Sequence, residues 1–138
     1  MDSRSVLVIG GAGYIGSHTC KRISQLGGKP VVLDNLSMGH EWAAIYGPLY
    51  VGDAGDSAYV KQIIDEHEID SVVHFAASAY VGESMTNPGK YFRNNVTAMQ
   101  SLLDRCIESG VKHFIFSSSC ATYGIPNETP IREDMPQK

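Results

Sequence analysis

Two kinds of segment alternate along the chain: short apolar runs and longer stretches whose apolar residues recur three and four positions apart. The runs Ser5–Ile9, Pro30–Leu33, Leu49–Val51, Ser71–Phe75 and His113–Ser117 are rich in β-branched and aromatic residues and closed by Gly, Asp or Ser, which predicts strands. Four of the five are nearly continuous in apolar residues, as expected where helices cover both faces of a strand. Between them, Tyr14–Leu26 sets Ile15, Thr19, Ile23 and Leu26 on one face and meets a stop at Gly27-Gly28. Ser57–Glu66 opens on a serine suited to an N-cap and turns Val60, Ile63 and Ile64 inward. Tyr91–Glu108 is the longest predicted helix, with Phe92, Val96, Met99, Leu102, Leu103 and Cys106 as a core-facing stripe and Gly110 as its end. The stretch 125–138 carries three prolines among polar residues and no period, so it reads as a loop.

This alternation predicts the α/β class: a Rossmann-type parallel sheet with helices on both faces. Right-handed crossovers and one reversal after the third strand give the order 3-2-1-4-5, with ligands at the C-terminal ends of strands 1 and 4. A chain of 138 residues with 43% hydrophobic content supports one core, so residues 1–138 are read as one domain.

Composition narrows the function. A net charge of -4 without runs of like charge argues against nucleic acid or an anionic membrane as partner. The apolar run Val6–Ile9 is too short for a signal core or a membrane span, so a cytoplasmic protein is expected. Cys20, Cys106 and Cys120 lie far apart without ligand spacing and read as buried free thiols. The five histidines show no metal spacing; His74, inside an apolar strand, reads as a core residue, and no metal is expected.

The chemistry concentrates where strands end. Gly10-Gly11-Ala12-Gly13-Tyr14-Ile15-Gly16 fits G-x-x-G-x-x-G and lies between a predicted strand and a helix start, where backbone N–H groups and the helix dipole can face a pyrophosphate. Early glycines allow the tight turn, and Gly16 allows close packing of the helix. A P-loop is excluded, because Ser17 and His18 follow Gly16 where that motif needs lysine. Asp34 ends the second strand eighteen residues after Gly16, the place for a carboxylate that accepts from ribose hydroxyls. It would repel a 2′-phosphate, and no arginine follows in Leu36-Ser37-Met38-Gly39-His40, so the expected cofactor is NAD rather than NADP.

With Asp34-Asn35-Leu36-Ser37, Gly52-Asp53, His74-Phe75-Ala76-Ala77, Val81-Gly82-Glu83-Ser84, Asn94-Asn95-Val96 and Ser117-Ser118-Ser119 in the same order, the chain resembles the extended short-chain dehydrogenase/reductase family, in its UDP-glucose (UDP-galactose) 4-epimerase branch. The resemblance implies a cofactor site in which Gly10, Gly13, Gly16, Tyr14 and Ile15 meet the pyrophosphate. Asp34, Asn35, Leu36, Ser37, Met38 and Gly39 would surround the adenosine ribose, and Asp53 and Ala54 would flank the adenine. Phe75, Ala76, Ala77, Ser78 and Ala79 would pass under the central ribose and phosphates, with Ser117 adding to the pocket. Asn94 would complete it, while Asn95 ties strand ends together, and such a pair, if buried, needs hydrogen-bond partners. Ser119 would sit beside the reacting sugar carbon. Gly82-Glu83-Ser84 is read as a local cap in preference to a route to substrate.

The same resemblance implies a general base in a Tyr-x-x-x-Lys motif, roughly two dozen residues beyond the serine. None of the seven tyrosines has lysine four positions on. The catalytic Tyr and Lys and a C-terminal substrate domain are therefore expected outside this sequence, and the 138 residues alone are expected to be inactive. The expectation is the NAD-binding portion of a UDP-sugar 4-epimerase, interconverting UDP-glucose and UDP-galactose through a 4-keto intermediate and homodimeric when intact. Alternatives are a UDP-pentose 4-epimerase, another sugar-nucleotide dehydratase or epimerase, or a non-catalytic NAD-binding sensor module. A dehydratase typically needs Asp-Glu beside the serine, where this chain has Cys120-Ala121. Phe114-Ile115-Phe116 is expected on an unpaired sheet edge that invites self-association.

Overall fold

The computed structural model describes residues 4–137. Strands β1 (Ser5–Ile9), β2 (Lys29–Asp34), β3 (Leu49–Val51), β4 (Ser71–His74) and β5 (His113–Phe116) form one sheet in the order β3-β2-β1-β4-β5. Every neighbouring pair is parallel, with Val8 opposite Val32 on one side and Val73 on the other. The expected order and class are those observed, and the strand ends shift by a residue: β2 takes in Lys29 and Asp34, while β4 and β5 stop before Phe75 and Ser117.

Alternation along the strands sorts the core into two faces. Leu7, Ile9, Val31, Leu33 and Val72 pack with Val60, Ile63 and Ile64 of α2 (Ser57–His67) and with Leu102 and Cys106 of α5 (Ala98–Glu108). Val8 and Val32 face Ala12 and Cys20, the latter on α1 (Tyr14–Gln25). Each fully buried Leu, Ile or Val is worth roughly 1.5–3 kcal/mol relative to exposure. Helix α1 stops at Gly27, whose φ of +81° suits glycine, as the Gly28 N–H returns to the Ile23 carbonyl at 3.0 Å.

Several local expectations are corrected. The N-cap of α2 is Asp56, whose carboxylate accepts from the Tyr59 N–H at 3.0 Å; Ser57, already inside the helix, accepts from Arg105 Nε at 2.9 Å instead. Val81–Thr86 is a helix, α3, where only a local cap over Gly82-Glu83-Ser84 was expected. Its Glu83 does not cap; the carboxylate receives Lys90 Nζ at 2.6 Å and the Tyr91 hydroxyl at 2.9 Å, and Lys90 above all holds it below the usual carboxylate range.

The long helix starts earlier than expected and is not uniform. Asn87 accepts from the Lys90 N–H at 3.4 Å and Pro88 occupies the first turn of α4 (Pro88–Phe92). A π-turn over Arg93–Thr97 then leads into α5. The wider turn shifts the phase of the stripe, so Phe92 and Val96 are 67% and 55% exposed. Leu102 and Cys106 are buried, whereas Met99 and Leu103 are half-buried.

Cys20 and Cys106 are buried and desolvation pushes both thiols up to about 11, but Cys120 is exposed, against expectation, because it lies in a short 3₁₀ turn (Cys120–Tyr123) beyond β5. β5 is an edge strand with Ile115 and Phe116 more than half exposed. The loop expected over 125–138 shows neither helix nor strand to residue 137, and Lys138 lies outside the described residues. No helix among the described residues is long and apolar enough to cross a membrane.

Candidate functional site

The segments that follow β1, β2, β3, β4 and β5 all leave from the carboxyl edge of the parallel sheet. After β1, Gly10 takes φ +77° with its N–H on the Leu33 carbonyl at 2.8 Å. A Cβ there would stand 2.9 Å from the Ala76 backbone nitrogen, and one on Gly16 would stand 2.1 Å from the Gly10 carbonyl oxygen. Both glycines are thus required by contact between backbones. Gly13 caps α1 without any side-chain bond, so the N–H groups of Tyr14, Ile15 and Gly16, which a helix leaves without internal partners, point out of its first turn. With the helix dipole they form a seat for an anion.

Asp34, 8% exposed at the end of β2, is bonded on both oxygens: Oδ2 accepts from the Ala12 N–H at 3.0 Å and Oδ1 from the Leu36 N–H at 2.8 Å. Gly39 lies over it, since a Cβ at 39 would be 2.8 and 2.9 Å from the two carboxylate oxygens. The Asn35 side chain accepts from the Ser37 N–H at 3.0 Å, closing the turn that Leu36 enters with φ +57°. After β3, Asp53 accepts from the Gly55 N–H at 2.7 Å.

After β4, the Ala76 N–H donates to His74 Nδ1 at 3.1 Å. His74 is 5% exposed, and burial lowers its pKa from the ordinary 6.5, so the imidazole is neutral with its proton on Nε2. Phe75 packs against the α1 side of the core. Ser78 is held at both backbone groups by Asn95, whose Oδ1 accepts at 2.8 Å and whose Nδ2 donates at 2.9 Å. Asn94 Nδ2 donates to the same Oδ1 at 2.9 Å. The pair is not buried as expected: Asn94 is half-buried and Asn95 exposed, because the π-turn lifts them toward the loop.

A small cavity at this edge gathers Gly10, Asp34, Asn35, Asp53, Ala54, Ala76 and Asn94, all singled out from the sequence. Ile9, Leu33, Gly52, His74 and Ala98 also line it and were missed as site residues. Gly52 stood beside Asp53 in a noted segment, and its missing Cβ makes room for the Tyr59 ring, which would otherwise lie 2.7 Å away. Nothing in the periodicity marked Ala98. The other expected residues do not line this cavity: Gly13, Tyr14, Ile15 and Gly16 of the loop and helix start, Leu36, Ser37, exposed Met38 and Gly39 after β2, Phe75, Ala77, Ser78 and Ala79 after β4, and Ser117 and Ser119 after β5. Ser119 is exposed and accepts from the Ala121 N–H at 3.2 Å at the head of the 3₁₀ turn after β5. A larger cavity beyond Tyr123 is walled by Pro126, Arg132, Met135 and their neighbours, and holds none of the expected site residues.

A glycine cradle that a Cβ would fill, an open helix N-terminus and a carboxylate one strand away suit a dinucleotide. The family model described as the NAD dependent epimerase/dehydratase family matches residues 6–138. The chain belongs to that family. It is 43% identical over 137 residues to the UDP-glucose 4-epimerase of Rhizobium meliloti (strain 1021), covering 99% of this chain and 42% of that protein. With the UDP-glucose 4-epimerase of Lactobacillus helveticus it shares 49% identity over 132 residues, 95% of this chain and 40% of that protein. The crystal structure of the Brucella ovis UDP-glucose 4-epimerase in complex with NAD superposes with a TM-score of 0.88 at 51% identity, covering 99% of this chain and 42% of that one. The chain therefore spans about two-fifths of the length of these family members.

Proposed function

We propose that residues 1–138 form the NAD-binding portion of a UDP-sugar 4-epimerase that interconverts UDP-glucose and UDP-galactose. The observation that carries the proposal is the joining of the glycine loop to Asp34 through the Ala12 N–H. It fixes a phosphate seat and a hydroxyl acceptor relative to each other, and a carboxylate there disfavours a 2′-phosphate.

In this proposal Tyr14, Ile15 and Gly16 hold the pyrophosphate through backbone N–H groups, and Asp34 accepts from the adenosine ribose on lone pairs left free by Ala12 and Leu36. Asp53 and Ala54 flank the adenine, while Phe75 to Ala79 and Asn94 close the pocket. NAD, when bound, supplies a hydride acceptor that later returns the hydride, so the net change is isomerisation. Ser119, exposed at the carboxyl end of β5, is free to pass the proton of the sugar hydroxyl. The general base is not among the seven tyrosines of residues 1–138, none of which is followed by lysine at the fourth position. Cys120-Ala121 beside Ser119 supports an epimerase over a dehydratase, since neither residue protonates a leaving hydroxyl. A cytoplasmic homodimer is part of the proposal, with exposed Phe92 and Val96 as candidate contacts.

Calorimetry with NAD and NADP tests the cofactor. NAD binding is expected, NADP binding at least tenfold weaker, and Asp34→Ala should weaken NAD about tenfold or more, the worth of hydrogen bonds to a charged acceptor. No NAD binding, or equal affinity for NADP, refutes the proposal. UDP-galactose turnover in the protein of full natural length tests the reaction.

A further inference from the structure

The helical stretch Pro88–Glu108 holds the segment after β4 at three points. The Tyr91 hydroxyl reaches the Tyr80 carbonyl at 2.6 Å, Lys90 and Tyr91 both bind Glu83 of α3, and Asn95 takes both backbone groups of Ser78. Tyr91 and Asn95 both reach this segment. Asn94, the residue next to the last of these anchors, lines the cavity that holds Gly10, Asp34 and Asp53.

In a regular α-helix consecutive side chains diverge by about 100°, which would aim one asparagine of an adjacent pair away from the loop. Here the pair sits inside the π-turn Arg93–Thr97, whose i→i+5 bonding gives more residues per turn and a smaller divergence. Both carboxamides reach the carboxyl edge of β4 and meet, Asn94 Nδ2 donating to Asn95 Oδ1. Asn95 Oδ1 thereby accepts twice, once from Ser78 and once from Asn94. Because one Asn94 N–H is committed to Asn95, the orientation of its carboxamide is set, leaving its Oδ1 as an acceptor for a ligand hydroxyl.

We propose that the π-turn and Asn95 form a positioning device, in which Asn95 acts through Asn94 to fix the polarity of the cofactor pocket. The inference rests on the NAD reading above and assigns Asn95 no contact with the cofactor. Its distinguishing property is coupling: Asn95 should matter to binding only while Asn94 is present to be oriented.

A double-mutant cycle on the protein of full natural length, with NAD titrated by calorimetry, tests this. Asn95→Ala is expected to weaken NAD about fivefold to tenfold in the unaltered protein, the loss of one oriented neutral hydrogen bond. In an Asn94→Ala background it is expected to weaken NAD by less than about twofold. The same fold loss in both backgrounds overturns the proposal and leaves Asn95 a purely structural clamp. If Asn95→Ala does not fold, Asn95→Asp is used as a rescue variant: the aspartate keeps the acceptor for Ser78 and Asn94 and loses only the donor to the Ser78 carbonyl, so NAD affinity is expected to stay within about twofold of the unaltered protein. A loss of about fivefold or more for Asn95→Asp, with the acceptor for Asn94 kept, is again refuting. An unaltered protein that binds no NAD sinks this inference together with the proposed function, whereas additivity in a protein that binds NAD sinks this inference alone.

Discussion

Gly16→Ala is a one-methyl change whose cost can be worked from the packing. The added Cβ would lie 2.1 Å from the Gly10 carbonyl oxygen, 2.7 Å from Gly11 Cα and 2.9 Å from the Gly10 carbonyl carbon, against ordinary contact beginning at 3.4 Å. All three neighbours are backbone, and the loop they belong to is pinned by Gly10 N–H to Leu33 and Gly13 N–H to Gly10. Relief therefore requires α1 to retreat by about 1 Å from the loop, which loosens Cys20 and Ile23 from the sheet. Overpacking of this kind costs typically 1–3 kcal/mol, and an unyielding backbone puts Gly16 at the upper end. Alanine returns about 1 kcal/mol of helix propensity, so the expected net loss is about 2 kcal/mol, or roughly 6–8 °C in Tm for a domain of this size.

Two other glycines serve as internal controls in the same urea-unfolding series. Gly82→Ala, in α3 with nothing within 4 Å of the new Cβ, should stabilise by about 0.5–1 kcal/mol. Gly27→Ala has equal space but φ +81°, so strain alone should cost about 1–2 kcal/mol. NAD affinity, followed by calorimetry, should fall more than tenfold for Gly16→Ala and stay unchanged for the other two. A Gly16→Ala protein within 0.5 kcal/mol of the parent, or one that binds NAD normally, would refute the backbone-contact account of the loop.

Leu102→Ala removes a side chain with no exposed surface and should cost about 2–5 kcal/mol, whereas Phe92→Ala, on the same helical stretch but 67% exposed, should change the stability of the monomer by less than about 0.5 kcal/mol; equal costs by urea unfolding under monomeric conditions would contradict the phase shift at the π-turn. His74 gives a pH dependence. Burial holds its folded pKa below the ordinary 6.5, so the unfolded chain takes the proton first as pH falls. The stability of neutral His74 is complete above about pH 6.5 and declines as pH falls below it toward the folded value. Protonation also removes the Nδ1 acceptor of the Ala76 N–H. His74→Asn, which keeps an acceptor there, should flatten the loss of stability between about pH 7 and about pH 5; unchanged slopes would exclude the histidine as its cause.

The sheet was legible because both its signals are local and redundant. Runs such as Val6–Ile9 and Pro30–Leu33 are apolar on both faces, and their closing Gly and Asp residues mark the carboxyl edge where Gly10, Asp34 and Asp53 collect. The helix from Pro88 was misread for a physical reason. Phe92, Val96, Met99, Leu102 and Cys106 satisfy a 3.6-residue period, and a period count assumes constant winding. One wider turn leaves the spacing in sequence intact while rotating Phe92 and Val96 away from the sheet. Ser57 failed as a cap because Asp56, one position earlier, offers a carboxylate to the same free helix end. His74 was read correctly as buried, but its wall position in the cavity depends on where β4 ends relative to β1, a tertiary fact that no single segment records.

The site continues the hydrogen-bond ladder of the sheet past its last strand residues. Gly10 N–H bonds Leu33, Phe75 N–H bonds Ile9, Gly52 N–H bonds Asp34 and Ser117 N–H bonds His74, each between 2.8 and 3.0 Å. Ala12 to Asp34 and Ala76 to His74 add side-chain rungs. A pocket built this way is preorganised by the same bonds that stabilise the fold, so changes at Gly10, Gly16, Asp34 or His74 should lower stability and cofactor affinity together. Asn94 comes from outside the ladder, on a π-turn between exposed residues. It is the position where affinity is expected to change with least loss of stability, whereas Asn95, which holds both backbone groups of Ser78, carries structure as well, so the coupling of the two is read from the double-mutant cycle and not from either single change.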